Sequence, residues 1–130
     1  MINHVIVGSN DLDRAKGFYD AVLGTLGAGE PIRNVAPSGH TRLIYLHDGG
    51  MFGVTQPIDG EPATVANGAT VAFRCHSGEQ VKQFHDVAVA HGGTSIEDEP
   101  GLRDGSLGPM HLSYVRDLDG NKLCAIYRGT

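Results

Sequence analysis

The 130-residue chain is long enough to bury about two-thirds of its unfolded surface in a single domain, without disulfides or structural metals. Its 40% hydrophobic content, 19% charged content and 19 glycines indicate a folded, loop-rich protein and exclude a disordered one. The formal net charge is −5 and the basic residues are scattered along the sequence, which argues against a nucleic-acid-binding or anionic-membrane surface.

The composition also bears on the cellular compartment. The start of the chain lacks the basic segment and long apolar segment of a signal peptide, and no apolar run is long enough to span a membrane. The two cysteines, Cys75 and Cys124, are too few for a disulfide framework, and no Asn-x-Ser/Thr glycosylation site occurs. We therefore expect a cytoplasmic protein with no membrane partner.

The chain begins with a predicted strand and helix. Residues 2–7, INHVIV, are apolar enough for a short strand. Apolar residues at helical spacing between positions 12 and 26 predict an amphipathic helix, which Asn10 or Asp11 can cap and Gly27 can end.

Two more strands and a linker complete the first half. TRLIYLH (41–47) and MFGVT (51–55) predict strands joined by a tight turn of one Asp and two Gly. The Pro- and Gly-containing stretch 56–68 is typical of a linker.

The second half repeats this order. TVAFRC (70–75) predicts a strand, and Ser77 with Gln80 forms a capping box that opens a helix ending at Gly92. TSIED (94–98) predicts a further strand.

The remaining residues predict a loop and a hairpin. The Gly-rich stretch 100–109 is interpreted as a flexible loop, and HLSYVR (111–116) pairs with LCAIY (123–127) across an Asp-Gly-Asn turn.

The two halves are related at a constant offset of 66 residues. Between positions 16 and 27, four of twelve residues are identical to those of the second half, where average residue usage would give roughly one. Coincidence between two amphipathic helices is the alternative to duplication. Duplication predicts an α+β fold of two tandem βαβββ modules, at about 1–56 and about 69–130, with a linker at about 57–68. The identical pairs are Val5 and Val71, Lys16 and Lys82, Phe18 and Phe84, Asp20 and Asp86, and Gly27 and Gly93.

Two stretches, HVIVGSNDLDRAKGFYDAVLGTLG and YVRDLDGNKLCAIY, resemble the vicinal-oxygen-chelate superfamily. That family includes glyoxalase I, fosfomycin-resistance, bleomycin-resistance and extradiol-dioxygenase proteins. The resemblance implies two modules that curl a mixed sheet around a cup-shaped cavity, usually in a homodimer. It also implies one divalent metal ion, held by His or Glu side chains from the first and last strands of each module.

Carried over to this sequence, the family's four ligand positions fall on His4, Gly53, Thr70 and Cys124. Glycine offers no side chain, and a threonine hydroxyl is a poor ligand for a divalent ion. A cysteine thiolate binds zinc or nickel well. The resemblance therefore implies an incomplete site, in which His4 and Cys124 are the candidate ligands for one zinc, nickel, manganese or iron ion.

Both candidate ligands have other interpretations. Cys124 is a metal ligand, a nucleophile or a small buried apolar residue beside Ala125 and Ile126. His4 is a ligand or a catalytic general base if its strand directs it into the cup, and otherwise a packed histidine.

The candidates for substrate binding are Thr70, Arg74, Arg103 and His111. By strand alternation, Arg74 shares a face with Thr70, where it would bind an anionic substrate group unless it lies in solvent at the strand end. Arg103 would close over a ligand from the Gly-rich loop unless it is simply solvated. His111 and Tyr114 point to opposite faces of one strand, so at most one of them faces the cup.

Two functions are consistent with these features. The first is an enzyme of the glyoxalase or dioxygenase type, with lyase or oxygenase chemistry on a small polar organic molecule assisted by a divalent metal. The alternative is a metal-free protein that binds or sequesters a small molecule, as bleomycin-resistance proteins do. The incomplete ligand set argues against standard glyoxalase I activity, and the predicted partners are a small molecule and a second copy of the chain.

Overall fold

The computed structural model describes residues 1–130 as nine strands and two helices, an α+β fold as predicted. The first run of elements resembles the second in order, with one extra strand in the second run. The first run is β1 (Val5–Gly8), α1 (Leu12–Gly24), β2 (Ile32–Val35), β3 (Thr41–His47) and β4 (Gly50–Thr55). The second run is β5 (Val71–Arg74), α2 (Gly78–Ala90), β6 (Thr94–Ser95), β7 (Gly101–Gly105), β8 (Gly108–Arg116) and β9 (Lys122–Arg128). Neither helix is long and apolar enough to cross a membrane.

The strands form two separate mixed sheets rather than one continuous sheet, and neither closes on itself. The first sheet has the order β1-β4-β3-β2, and the second has the order β5-β9-β8 with β6 and β7 both pairing with β8. In each sheet, the strand that comes first in the chain pairs in parallel with the strand that comes last in the chain. These pairs are β1 with β4 and β5 with β9. Val5 lies beside Phe52 in the first sheet, and Val71 lies beside Leu123 in the second. The offset of 66 residues thus relates Val5 to Val71 on the first strands, whereas their partners Phe52 and Leu123 are 71 residues apart.

Both helices begin where the sequence predicts. The Asp11 side chain accepts a hydrogen bond from the Arg14 amide and so caps α1, while Ser77 accepts one from the Gln80 amide and caps α2. The Gln80 side chain accepts a hydrogen bond from the amide of His76, which lies just before the cap. Two donors at the start of α2 are therefore satisfied, as in a capping box displaced by one residue.

One apolar core unites the two halves. The helices α1 and α2 pack against each other, and each covers one face of its own sheet. A continuous row of aromatic rings crosses the centre, with centroid separations of 5.0 Å from Tyr19 to Phe52, 5.1 Å from Phe52 to Phe73 and 5.5 Å from Phe73 to Phe84. Rings at these separations gain favourable edge contacts beyond their buried area, so the two halves stabilise each other.

The opposite face of each sheet carries no helix. In β9, Leu123 and Ala125 belong to the core and are fully buried, whereas Lys122 and Ile126 are partly exposed. Alternation along the strands therefore separates a helix-covered face from a face that is open. We call these surfaces the first open face, on the sheet of β1 to β4, and the second open face, on the sheet of β5 to β9.

The Asp-rich turn between β8 and β9 fastens the second half to the first. Buried Asp117 accepts hydrogen bonds from the Tyr19 hydroxyl and from the amides of Asp119 and Asn121. The Asn121 side chain donates to the main-chain oxygen of Gly8, which ends β1. Hydrogen bonds to a buried carboxylate are strong, so this turn fixes how the two sheets lie relative to each other.

Two strands were not predicted from the sequence. The stretch 100–109, interpreted as a flexible loop, forms β7 and the start of β8. The residue pattern predicts no strand where β2 lies, although the βαβββ module implies a third strand after α1 in the first half. Both strands pair antiparallel with a long neighbour, β8 for β7 and β3 for β2. Their order therefore comes from tertiary pairing rather than from local preference. The predicted strand 94–98 shrinks to two residues, and Glu97 adopts a φ of 60° just beyond it.

Candidate functional site

The second open face brings Cys124 together with a group of polar side chains. Cys124 lies between Ala72 of β5 and Tyr114 of β8, its register partners on either side. The ammonium group of Lys122 lies 4.8 Å from the centre of the Tyr114 ring and forms an ion pair with Glu97. Side chains from several elements of the second half therefore meet around one thiol.

The surroundings of Cys124 keep its thiol neutral. The residue is only 4% exposed, although no helix covers this face. Burial raises the pKa of the Cys124 thiol, and the nearby Tyr114 hydroxyl offsets part of that rise. Burial and the neighbouring Cys124 likewise raise the pKa of the Tyr114 hydroxyl. A metal ligand or a nucleophile needs the thiolate, so this environment favours the packed interpretation of Cys124.

The other family ligand positions lie apart from Cys124. His4 and Thr70 are exposed residues that immediately precede β1 and β5, and the only side-chain hydrogen bond of His4 joins its Nδ1 to the neighbouring Asn3 side chain, at 2.8 Å. At Gly53 a methyl group would lie 3.0 Å from Cγ1 of Ile6 and 3.3 Å from Cδ1 of Ile44. Two isoleucine side chains therefore occupy the space that a ligand side chain at this position would need.

These residues do not fit the metal site of the family. No group of three or more His, Cys, Asp or Glu side chains is arranged to hold a metal ion within one chain. His4 adjoins the first sheet, and Cys124 belongs to the second. Catalytic zinc sites commonly use three protein ligands, and this donor set supplies one imidazole and one protonated thiol.

The predicted substrate-binding residues separate into two groups. Arg74 lies on the second open face beside Ile126, and Arg103, paired with Met110, lies near Tyr114 on the same face. Arg103 is not in a loop, because β7 holds it, and its guanidinium donates to the main-chain oxygen of Glu99 at 2.7 Å.

His111 is not brought together with these residues. It pairs with Tyr127 and points to the helix-covered side, where a methyl group added to Gly78 would lie 2.6 Å from its ring. Its Nε2 lies 3.2 Å from the main-chain oxygen of Thr130. Of His111 and Tyr114, Tyr114 is the residue that lies on the second open face. Its pairing with Cys124 in the predicted hairpin, combined with strand alternation, could have identified it from the sequence.

A cleft of about 420 Å³ lies between the two halves, beside the second open face. Ten of its sixteen lining residues are hydrophobic, among them Leu23, Phe52 and Phe73. Its polar side chains are those of His47, Asp48, Arg74 and His76. Its size falls within the range of small-molecule sites. None of the four family ligand positions lines this cleft, but Ala72 and Arg74 connect it to the second open face.

Comparison with solved structures gives close and remote relatives. A glyoxalase/bleomycin resistance protein from Albidiferax ferrireducens T118 is 50% identical, with a TM-score of 0.91, over 98% of this chain and 99% of that chain. The fosfomycin resistance protein FosX from Listeria monocytogenes, complexed with Mn(II) and sulfate ion, is 15% identical over 100% of this chain and 90% of that chain, with a TM-score of 0.70. At that identity the likeness shows the fold alone.

A glyoxalase-related enzyme from Fulvimarina pelagi is 18% identical over 98% of this chain and 88% of that chain, with a TM-score of 0.70. No curated protein matches the sequence. The family model for the Glyoxalase/Bleomycin resistance protein/Dioxygenase superfamily matches residues 1–125, nearly the whole chain. The chain therefore belongs to the glyoxalase/bleomycin resistance protein/dioxygenase superfamily.

Proposed function

We propose that this protein binds a small polar organic molecule on the second open face, without a metal ion of the kind used by the metal-dependent enzymes of the family. The observation that carries this proposal is the donor set at the four ligand positions. Gly53 is covered by isoleucines, Thr70 offers only a hydroxyl, and the Cys124 thiol is held neutral by burial. Recognition then depends on the fold and its polar side chains.

The second open face has the composition of a small-molecule site. It combines apolar side chains with a few polar groups from different strands, as ligand sites generally do. Tyr114 offers a hydroxyl that can donate a hydrogen bond, and burial raises its pKa above the ordinary value. The apolar cleft next to Arg74 adds room for a ligand of small-molecule size.

A second copy of the chain is the proposed cover for this surface. The accessible surface of one chain is 7357 Å², whereas a compact monomer of this mass exposes about 6,600 Å². The first open face exposes aliphatic side chains such as Ile32 and Leu46, at 55% and 57%. Pairing the first open face of one chain with the second open face of another would bury apolar surface and close a cup around the ligand.

A divalent metal enzyme is the second candidate. FosX of the same fold was crystallised with Mn(II), and His4 and Cys124 stand at two of the family's ligand positions. In a dimer, His4 of one chain would have to approach Cys124 of the other. This candidate requires the Cys124 thiol to lose its proton when the metal binds.

Ligand binding before and after metal removal tests the proposal. Protein purified without chelators or a His tag is screened against small organic acids, amides and phenols by thermal stabilisation, then treated with EDTA and screened again. We expect the same compounds to stabilise both samples by the same number of degrees. If EDTA abolishes the stabilisation and manganese or zinc restores it, the metal-dependent function is correct instead.

A further inference from the structure

The second open face collects half of the basic residues of an acidic protein. Five of the ten Lys and Arg residues lie on it, although the formal net charge is −5 and these residues are far apart in sequence. Register arranges the face in four rows across the strands, about 7 Å apart. The rows are Lys122 with Arg116; Ala72 with Cys124 and Tyr114; Arg74 with Ile126 and Leu112; and Arg128 with Met110 and Arg103.

The basic residues at the two ends of this face differ in their partners. At one end, Lys122 pairs with Glu97 and Arg116 donates to the main-chain oxygen of Gly120. At the other end, Arg74 and Arg128 are exposed and bonded to no protein acceptor. Although the chain has fifteen acidic residues, none of them forms an ion pair with Arg74 or Arg128.

Arg74 and Arg128 are close enough to act together. They lie on the adjacent strands β5 and β9, and Arg128 is two residues beyond Ile126, the register partner of Arg74. Their Cα atoms are therefore about 8 Å apart, because strands are about 4.8 Å apart and two residues advance about 6.6 Å. Long guanidinium side chains at that spacing converge on one carboxylate or phosphonate group and bind it through paired hydrogen bonds.

We propose that the ligand of the second open face is an organic anion, whose carboxylate or phosphonate is held by Arg74 and Arg128 and whose apolar part lies over Ile126 and Leu112. This inference rests on the proposed function and names the substrate class of the same site. Arg103 begins on the row of Arg128, but its guanidinium turns back to the main-chain oxygen of Glu99 at 2.7 Å, so Arg74 and Arg128 alone hold the anionic group. The apolar residues between the basic ends favour a molecule with a hydrocarbon part over an inorganic ion.

Size and net charge favour a small anion over a polyanion. Nucleic acids bind to extended basic surfaces, whereas the two unpaired arginines here belong to one end of one sheet in a protein of net charge −5. The acidic residues of the chain, which include Asp48 in the cleft that Arg74 lines, repel a polyanion more strongly than a ligand with a single carboxylate.

Matched pairs of probes test the inference. Hexanoate and phenylphosphonate are titrated into the 15N-labelled full-length protein beside their neutral counterparts hexanamide and phenylphosphonic diamide, and the amide shifts of β5 and β9 report the Kd. We expect each anion to bind at least about tenfold more tightly than its neutral counterpart. The variants Arg74→Gln and Arg128→Gln should each weaken the anion at least about fivefold and leave the neutral probe unchanged. Arg33→Gln is the control, because it removes the same charge from β2, where Arg33 is paired with Asp13.

The outcomes distinguish this inference from the proposed function. If the neutral probes bind as tightly as the anions, or if Arg33→Gln weakens the anions as much as Arg74→Gln does, the organic-anion inference is wrong while small-molecule binding stands. If a single-stranded DNA oligonucleotide binds in preference to the anions at physiological salt, the organic-anion inference is also wrong, because the face is then a polyanion site. If no probe shifts β5 or β9, both the inference and the proposed function are wrong.

Discussion

The reactivity of Cys124 depends on the side chains around its sulfur. Ala72 and Tyr114 flank it in register, and burial raises the pKa of its thiol, so the neutral form dominates at pH 7. Of the three interpretations that the sequence leaves open, ligand, nucleophile and packing, the surroundings favour packing. Its position in the family's ligand pattern is therefore not enough to assign it a chemical role.

Alkylation should show this directly. At pH 7.4 we expect iodoacetamide to modify folded wild-type protein at least about tenfold more slowly than free cysteine, because the reactive thiolate is scarce. The measurement is intact-mass spectrometry over time, with Cys124→Ser and Cys75→Ser to assign the sites. Rapid stoichiometric labelling that only Cys124→Ser abolishes would show a reactive thiol at Cys124.

Alkaline pH should destabilise the protein through ionisation of the buried Cys75 thiol. Burial raises the pKa of Cys75 from an ordinary value of 9.0 to about 11, so the folded state favours the neutral thiol. That contribution to stability is complete below pH 9 and is lost as the pH rises through about 11. Urea unfolding at pH 8 to 11 should show a declining free energy of unfolding, with a shallower decline in Cys75→Ala. Equal slopes in the two proteins would mean that the thiol does not titrate differently on folding.

At the scale of elements, the turn between β8 and β9 matters for stability rather than for ion binding. The sequence already separates it from a calcium loop, because its Gly and acidic residues are wrongly spaced. The structure adds that Asp117 joins this turn to Tyr19 of α1, and that Asn121 reaches the end of β1. Both bonds cross between the two halves of the chain.

Removing the carboxylate should therefore be costly. We expect Asp117→Ala to lower the free energy of unfolding by about 3 kcal/mol, because it leaves the Tyr19 hydroxyl and two amides without their charged acceptor. The control Asp98→Ala removes an exposed carboxylate and should change stability by less than about 0.5 kcal/mol. If Asp117→Ala and Asp98→Ala lower the free energy of urea unfolding equally, the turn does not stabilise the contact between the two halves.

Local sequence patterns predict those helices and strands whose own residues supply a cap or an apolar alternation. The caps Asp11 and Ser77 mark both helices, and apolar alternation marks β3, β4 and β9. Strands β2 and β7 have no such pattern, since their order comes from the neighbours with which they pair. Strand alternation predicts that Arg74 shares a face with Thr70, but it cannot show that a scattered set of arginines meets on one sheet.

At the scale of the whole molecule, each chain presents two open faces of different character. The first is rich in aliphatic side chains, and the second carries five basic ones. The proposed dimer would set these two surfaces against each other around a ligand. Such a cup would have an apolar wall and a cationic wall, which is the arrangement that an organic anion with a hydrocarbon part requires.

The dimer has its own test. Light scattering should give twice the mass of one chain, and Leu46→Asp should give monomers because it places a charge in the buried aliphatic contact. Ile58→Asp is the control, since Ile58 is 74% exposed on the segment between the sheets. If the wild-type protein stays monomeric at all concentrations, the proposed dimer is wrong and a second copy of the chain does not cover the open faces.

The central claim is ligand binding that does not depend on a family-type metal, and elemental mass spectrometry addresses it most directly. Wild-type protein and His4→Ala are purified without chelators or a His tag, and each is also measured after incubation with zinc, nickel, manganese and iron followed by desalting. We predict well under about one-tenth of a divalent ion per chain in both proteins, because the donor set is incomplete. About one ion per chain in the wild type, lost in His4→Ala, would contradict the account and establish a metal centre at His4.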